Sequence, residues 1–308
     1  MNGIPFRPDY LKLHRTGELK QRGELLWDHL ASCKLCPREC RVNRLAGEKG
    51  FCKTGSNLKV ASFNAHFGEE RPLVGVGGSG TIFLSHCNLG CVFCQNWDIS
   101  HQGGGTECSI EDLGAMMLQL QEDGCQNINL VTPTHYSPHV LLGLNLAASG
   151  GLRIPLVYNT SGWERPDVLA LLEGVVDIYL ADFKYTDPDM AHGYSADAGS
   201  YPSVAKAALM EMNRQVGVAV PERNGVIFRG LMIRHLVMPG EVSGSMEAVR
   251  WIADNLPGDT YVNLMLQYRP AYRAHLYPEI DRPVSREEYL EIVDEARRCG
   301  LTNLDVDL

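Results

Sequence analysis

From Thr81 onward, short apolar runs of strand length alternate with stretches whose apolar residues recur at helical spacing. The runs are TIFLS (81–85), NINLVTPT (127–134), IPLVYNTS (154–161), VVDIYLADFK (175–184), GLMIRHLVM (230–238) and YVNLMLQY (261–268). Ser109 is placed to cap a helix that gathers Leu113, Met116, Met117 and Leu120 on one face. Further helices are predicted over about 138–148, 166–173, 203–215 and 243–255, with an irregular stretch before the third. Ser285 and Glu288 form a capping box at the head of the last helix. Strands apolar along their whole length are buried on both faces, so repeated βα units imply a parallel sheet with helices outside it. Six units fall short of a closed eight-unit barrel. The predicted architecture is therefore α/β, a partial (β/α)6 TIM-like barrel over 80–308, with its chemistry at the C-terminal ends of the strands.

Residues 1–79 read as an N-terminal extension: a polar, basic stretch to about residue 57, then a bridging segment, KVASFNAHFGEERPLVGVGGSG. Gly75, Gly77, Gly78 and Gly80 resemble a phosphate-binding loop only superficially. No Lys-Ser/Thr follows them, and the next element reads as a strand, so a turn is predicted. Asp and Glu outnumber Lys and Arg 37 to 28, a net charge of -9 that repels phosphate backbones and argues against nucleic acid as a partner. No window reaches the roughly 18 consecutive apolar residues of a membrane span, and the N-terminus carries no signal-type apolar stretch. The expectation is a soluble cytoplasmic protein with no membrane partner.

Seven of the ten cysteines fall in two groups: Cys33, Cys36, Cys40 and Cys52, then Cys87, Cys91 and Cys94. In a reducing compartment such clustering points to metal or redox chemistry rather than disulfides. Cys108, Cys125 and Cys299 stand alone and read as small buried hydrophobes. The second group, in SHCNLGCVFCQNW, has the spacing C-x3-C-x2-C. Three thiolates on one tight loop can hold three irons of a [4Fe–4S] cluster, which takes four cysteines when closed. The remaining iron is then open to a ligand, as in a catalytic zinc site. Zinc held by His86 with the same cysteines, or a cluster closed by Cys108, are the alternatives. The first group supplies four thiolates within 20 residues. That suits tetrahedral zinc, which would tie together a module too small to build its own core, or an auxiliary Fe–S cluster, which would instead relay electrons or bind substrate.

The three-cysteine loop after the first barrel strand, with Phe93 just before its third cysteine, resembles the radical S-adenosylmethionine (radical SAM) superfamily. The resemblance implies a partial barrel of the radical SAM type and a [4Fe–4S] cluster on Cys87, Cys91 and Cys94. Its open iron would chelate SAM, and reductive cleavage of SAM would yield a 5′-deoxyadenosyl radical. The segments NINLVTPTH, LVYNTSG, VVDIYLADFKY, RHLVMPGE and LMLQYRPAY, with CKLCPRECRVNRLAGEKGFC, are similar to the pyruvate formate-lyase-activating-enzyme-like (PflX-type) branch. An electron donor such as flavodoxin or ferredoxin is implied as a partner, beside SAM and a protein or small-molecule substrate.

Alternation along VVDIYLADFKY points Asp182 and Lys184 the same way at a strand end, where the resemblance implies a hold on the methionine moiety of SAM. A solvated ion pair is the plainer account. Arg234 and His235 cannot both face inward; Arg234 is taken as the SAM or substrate contact and His235 as a core residue. Asn96 with Trp97, and Asn159 with Ser161, are candidate SAM neighbours, while Tyr268 and Arg269 either line the far wall or pack. The Gly-Gly-Glu-like motif of activating enzymes, which the resemblance implies would receive the SAM amino group, is replaced by VTPTHYSP. Thr132, Thr134 or a carbonyl freed by Pro133 is left to substitute. His135 and His139, four apart, lack nearby carboxylates and are not read as a metal pair. Three readings result: activation of a glycyl-radical-type protein, radical chemistry on a small molecule or peptide, or a non-catalytic iron or zinc protein.

Overall fold

All six apolar runs form neighbouring strands of one sheet. The computed structural model describes residues 6–222 and 224–307. Its strands are β1 (Leu58–His66), β2 (Ser79–Leu84), β3 (Thr106–Cys108), β4 (Ile128–Val131), β5 (Leu156–Thr160), β6 (Ile178–Asp182), β7 (Gly230–Leu236), β8 (Tyr261–Met265) and β9 (Leu304–Val306). Their order is β3-β1-β2-β4-β5-β6-β7-β8-β9. From β2 to β9 every pairing is parallel. β1 runs antiparallel to both β2 and β3. The parallel array thus gains a seventh strand beyond the six predicted, and β1 and β3 extend its other edge. β9 is three partly buried residues, Leu-Asp-Val, too short and acidic to read as an apolar run. β1 mixes buried and exposed positions and lies in the segment read as a bridge.

Alternation along the strands sorts side chains into two layers. Tyr158, Tyr179, Ala181, Leu231, Ile233 and Leu264 belong to the main core shared with the helices. Val157, Ile178, Leu180, Met232 and Tyr261 form a second cluster with Leu73. Positions two residues further along these strands, Asn159, Asp182, Arg234 and Asn263, share the inner face. Apolar packing at the bottom of the barrel thus gives way to polar groups toward the strand ends, the layered filling expected of such barrels.

The predicted helices are present as Ile110–Glu122, Ser137–Ser149, Pro166–Leu172, Tyr201–Val216, Ser245–Asn255 and Arg286–Arg298. The first and last open on capping boxes, Ser109 with Asp112 and Ser285 with Glu288. The stretch read as irregular contains one more helix, Pro188–Tyr194, whose Asp187 cap accepts from the amides of Asp189 and Met190. Before the barrel, helices Tyr10–Thr16 and Glu18–Asp28 bring Tyr10, Leu19 and Leu26 into the main core, fully buried. Gly23 permits this approach: a Cβ there would sit 2.9 Å from Leu142 Cδ2. Among the described residues, no helix is long and apolar enough to cross a membrane.

Candidate active site

β2 ends at Leu84, and the chain turns through the three-cysteine loop before the single helical turn Trp97–Ser100. Backbone bonds from outside hold this loop: Val92 N donates to Tyr194 O at 2.9 Å, and Arg273 N to Val92 O at 2.9 Å. His101 Nε2 lies 3.0 Å from Cys91 O. Leu89 N donates to Cys87 Sγ (3.3 Å), and Ser195 Oγ donates to Cys91 Sγ (3.1 Å). Cys94 Sγ and Ser100 Oγ are 3.1 Å apart. Burial pushes the Cys87 thiol up and the Cys91 thiol to about 12, the latter against the pull of Lys184. Ligation by metal would offset that cost by taking the thiolate form.

All three cysteines open on one cavity of about 250 Å³ at the C-terminal ends of the strands. Its wall also carries Asn96, Asn159, Asp182, Lys184 and Arg234, the five residues expected to contact SAM, and Ser161 and Thr132 as well. The far side is polar and connected. Asp182 Oδ2 takes the Lys184 ammonium at 2.6 Å, and its Oδ1 takes Arg234 Nε at 2.8 Å. Arg234 Nη2 donates to Asn159 Oδ1 at 2.6 Å. Burial alone would raise Asp182, yet Arg234 and Lys184 hold it below the ordinary carboxylate range. The Asp182–Lys184 pair, with side chains only 12% and 18% exposed, is not a solvated surface pair.

Two further carboxylates stand below Arg234. Glu69 Oε2 lies 3.8 Å from Nη1, and Glu70 Oε1 lies 4.0 Å from Nε while accepting from Asn263 Nδ2 at 3.1 Å. Burial lifts Glu69 to about 7 against the attraction of Arg234. Nothing in the sequence GEERP marked this pair. They reach the interior because β1 runs antiparallel to β2 and delivers its outgoing loop to the bottom of the barrel.

No family model matches the chain. It is 33% identical over 279 residues to the uncharacterized protein MJ0674 of Methanocaldococcus jannaschii, covering 88% of this chain and 75% of that protein. This chain belongs to the family of MJ0674. A shorter match, 30% identity over 90 residues, links it to the uncharacterized protein MJ0808 of the same organism, covering 25% of this chain and 26% of that one. In fold it is similar to a radical SAM methyltransferase from Sphaerobacter thermophilus, with TM-score 0.50 and 18% sequence identity. That likeness covers 74% of this chain and 66% of the other. The two share a fold, here an α/β structure built on a mostly parallel sheet.

The residues present in this family member fit a cluster with SAM. Three thiols share a cavity with side chains of both charges, and the buried Ser161 hydroxyl in its wall has no partner among the described residues. Among those residues no three His, Cys, Asp or Glu side chains are gathered closely enough to hold a single ion.

Thr132 occupies the strand end in place of the Gly-Gly-Glu-like motif. Its φ of +60°, rare for a β-branched residue, keeps a backbone shape that glycine would adopt freely. Its amide donates to Asn159 O at 2.8 Å. Thr134 turns away from the cavity and donates to Glu164 Oε1 at 2.5 Å. Trp97 stacks on Tyr272, with centroids 5.7 Å apart, and does not line the cavity. Tyr268 is buried with its hydroxyl on Ile280 O at 2.7 Å, and Arg269 is exposed. His235 is fully buried between Phe183 O and Ser245 Oγ. His135 and His139 are likewise buried, each on a carbonyl, at Ser85 and Ser56. Of the isolated cysteines only Cys125 is buried; Cys108 and Cys299 are partly exposed.

Two supporting residues escaped the sequence reading. The hydroxyl of Tyr201 lies 2.8 Å from Ser161 O and 2.9 Å from Asp182 O, and accepts from Lys184 N at 2.8 Å. It ties the ends of β5 and β6 together where Gly162 packs so closely that a Cβ would stand 2.1 Å from Asp182 O. Tyr201→Phe strands these buried backbone groups and is expected to cost about 1–3 kcal/mol in urea unfolding. An unchanged midpoint would remove the bridge from the account.

Glu164, fully buried, accepts from Thr134 and Thr160. Burial raises its carboxyl to about 7, although the two hydroxyls pull it down. A folded-state pKa above the unfolded value contributes stability that is complete below about 4.5 and lost as pH rises through about 7. Glu164→Gln is therefore expected to reduce the fall in urea midpoint between pH 5 and 9. The parent's extra loss should be about 3 kcal/mol in order of magnitude. Identical pH slopes in the two proteins would refute the assignment.

Proposed function

We propose that this chain is a radical SAM enzyme. The observation that carries the reading is the meeting, on one cavity, of the three-cysteine loop with Asn159, Asp182, Lys184 and Arg234. Cys87, Cys91 and Cys94 would hold a [4Fe–4S] cluster, which would supply the electron for reductive cleavage of SAM to methionine and a hydrogen-abstracting 5′-deoxyadenosyl radical. The chain's own residues bind and orient. The Lys184 ammonium suits a carboxylate, and Asp182, held ionised by two cations, suits an ammonium. Arg234 is fixed between Asp182 and Asn159, so its guanidinium keeps one orientation in the wall. Asn96, Ser161 and the strained Thr132 offer neutral polar contacts. Phe93, buried beneath the loop against Tyr185 and Tyr268, helps exclude water.

The finer reading is activation of a glycyl-radical-type protein, with a flavodoxin or ferredoxin as donor. It is supported by the Asp-x-Lys placement and by a second, wider cavity of about 500 Å³ outside the cysteine loop. That cavity shares Cys87, Gly90, Ser100 and His101 with the first and has room for a peptide segment. Thr132-Pro133-Thr134 in place of Gly-Gly-Glu favours a small-molecule or peptide substrate instead. The deciding experiment precedes that choice. Anaerobic protein, reconstituted with iron and sulfide and reduced with dithionite, is expected to convert SAM to 5′-deoxyadenosine. No product from fully loaded protein would overturn the proposal.

A further inference from the structure

The four N-terminal cysteines share one small internal cavity, and two arginines line it with them. Arg44 is fully buried. Its Nε donates to Gly55 O at 2.9 Å and its Nη1 to His135 O at 2.8 Å, with Cys33 Sγ 4.0 Å from the same nitrogen. Nη2 has no partner, and among the described residues no carboxylate pairs with this guanidinium. Arg38, sandwiched between Phe51 and Trp163 at 3.8 and 4.9 Å, spends its donors on the carbonyls of Asn88, Leu89, Ser195 and Ala196. Half-buried, it too makes no ion pair with a carboxylate among the described residues, Asp197 acting on its charge only from a distance. A guanidinium does not deprotonate in a protein, and burying one without an anion is among the costliest arrangements a fold can carry.

Four thiolates are the anion within reach. Around a divalent zinc ion, or around a [4Fe–4S] core of charge +2, four thiolates leave a net charge of -2, which two guanidinium groups balance. We infer that Cys33, Cys36, Cys40 and Cys52 form a closed four-thiolate metal centre whose counter-cations, Arg44 and Arg38, are built into the fold. Binding releases the thiol protons to solvent and draws the four side chains inward across the cavity they line. Gly50 is shaped for that packing, since a Cβ there would stand 2.8 Å from Cys40 Sγ. Arg38 also joins the centre to the barrel, because Asn88 and Leu89 lie between Cys87 and Cys91 in the other loop. The centre thereby braces the loop proposed to hold the SAM-binding cluster.

The test uses the full-length chain with Cys87, Cys91 and Cys94 all replaced by Ala, so that its result does not depend on SAM chemistry. After anaerobic exposure to zinc, and separately to iron with sulfide, it is expected to retain about one zinc or about four irons per chain. The visible absorption of an Fe–S cluster distinguishes the two. Retention of neither metal overturns the centre. In the same background, Arg44→Met is expected to lose metal to a chelator about 10- to 100-fold faster, and Arg44→Lys to stay near the parent. Should the Met variant not fold, Arg44→Gln against Arg44→Lys makes the same comparison. Equal release rates for the charged and neutral variants would refute the counter-cation role.

Discussion

Cys91→Ala is expected to abolish formation of 5′-deoxyadenosine from SAM while leaving the fold intact. Cys91 is held at its sulfur, its carbonyl and its neighbour. Its sulfur receives the Ser195 hydroxyl at 3.1 Å, its carbonyl lies 3.0 Å from His101 Nε2, and the flanking Val92 is pinned on both sides by Tyr194 and Arg273. The loop's shape therefore does not depend on the sulfur, and replacing a small buried thiol by a methyl group costs about 1 kcal/mol. A [4Fe–4S] cluster already one protein ligand short would be left with two, so cluster content and SAM cleavage should fall together to background. Cys125→Ala, at a buried cysteine outside the site, is the matched control and should retain both. Iron content, the electron paramagnetic resonance spectrum and product formation are the measurements. Parental product formation in the Cys91 variant would exclude cluster-dependent chemistry.

Arg234→Met should lower stability by about 3–5 kcal/mol, the usual cost of removing one partner from a buried charge cluster. Arg234 touches Asp182 and Asn159 directly and stands within 4.0 Å of Glu70 and 3.8 Å of Glu69. Without it three carboxylates share the barrel interior with Lys184 as the remaining cation of this group. Methionine preserves the volume of the stem, so the loss reports charge rather than packing. Adding Asp182→Asn in the same chain should recover part of the stability, since it removes the carboxylate most dependent on Arg234. Urea midpoints at pH 7 for the parent, both single variants and the double variant form the cycle. Strict additivity would mean that Arg234 and Asp182 do not act as a pair.

Most of this architecture is legible along the chain because its signals are local. Each of the six apolar runs became a strand, and Ser109 and Ser285 open helices as their spacing implied. What escaped lacked such a signal. β9 is three residues with an aspartate at the centre, and β1 alternates its burial too loosely to stand out. Helix Pro188–Tyr194 was hidden by its Pro and Gly, although Asp187 ahead of Pro188 is a cap followed by an N1 proline. Trp97 and Arg269 illustrate the converse error. Trp97 follows Asn96 yet stacks on Tyr272, and Arg269, itself exposed, follows a Tyr268 that packs on Ile280 O, so neither lines the cavity.

Residue spacing alone was enough to determine that three thiols share one loop after the first barrel strand, and that Asp182 and Lys184 face the same side of theirs. Both follow from covalent distance and the two-residue period of a strand. Only the tertiary structure decided that Arg234 would bridge Asp182 and Asn159, that Glu69 and Glu70 would enter from below, and that Tyr201 would tie two strand ends together. The same holds for the docking of Arg44 on His135 O and of Arg38 on the carbonyls of Asn88 and Leu89. Those contacts join residues far apart in the chain, and their partners are chosen by the register of parallel strands and by the need of each buried charge for an opposite one.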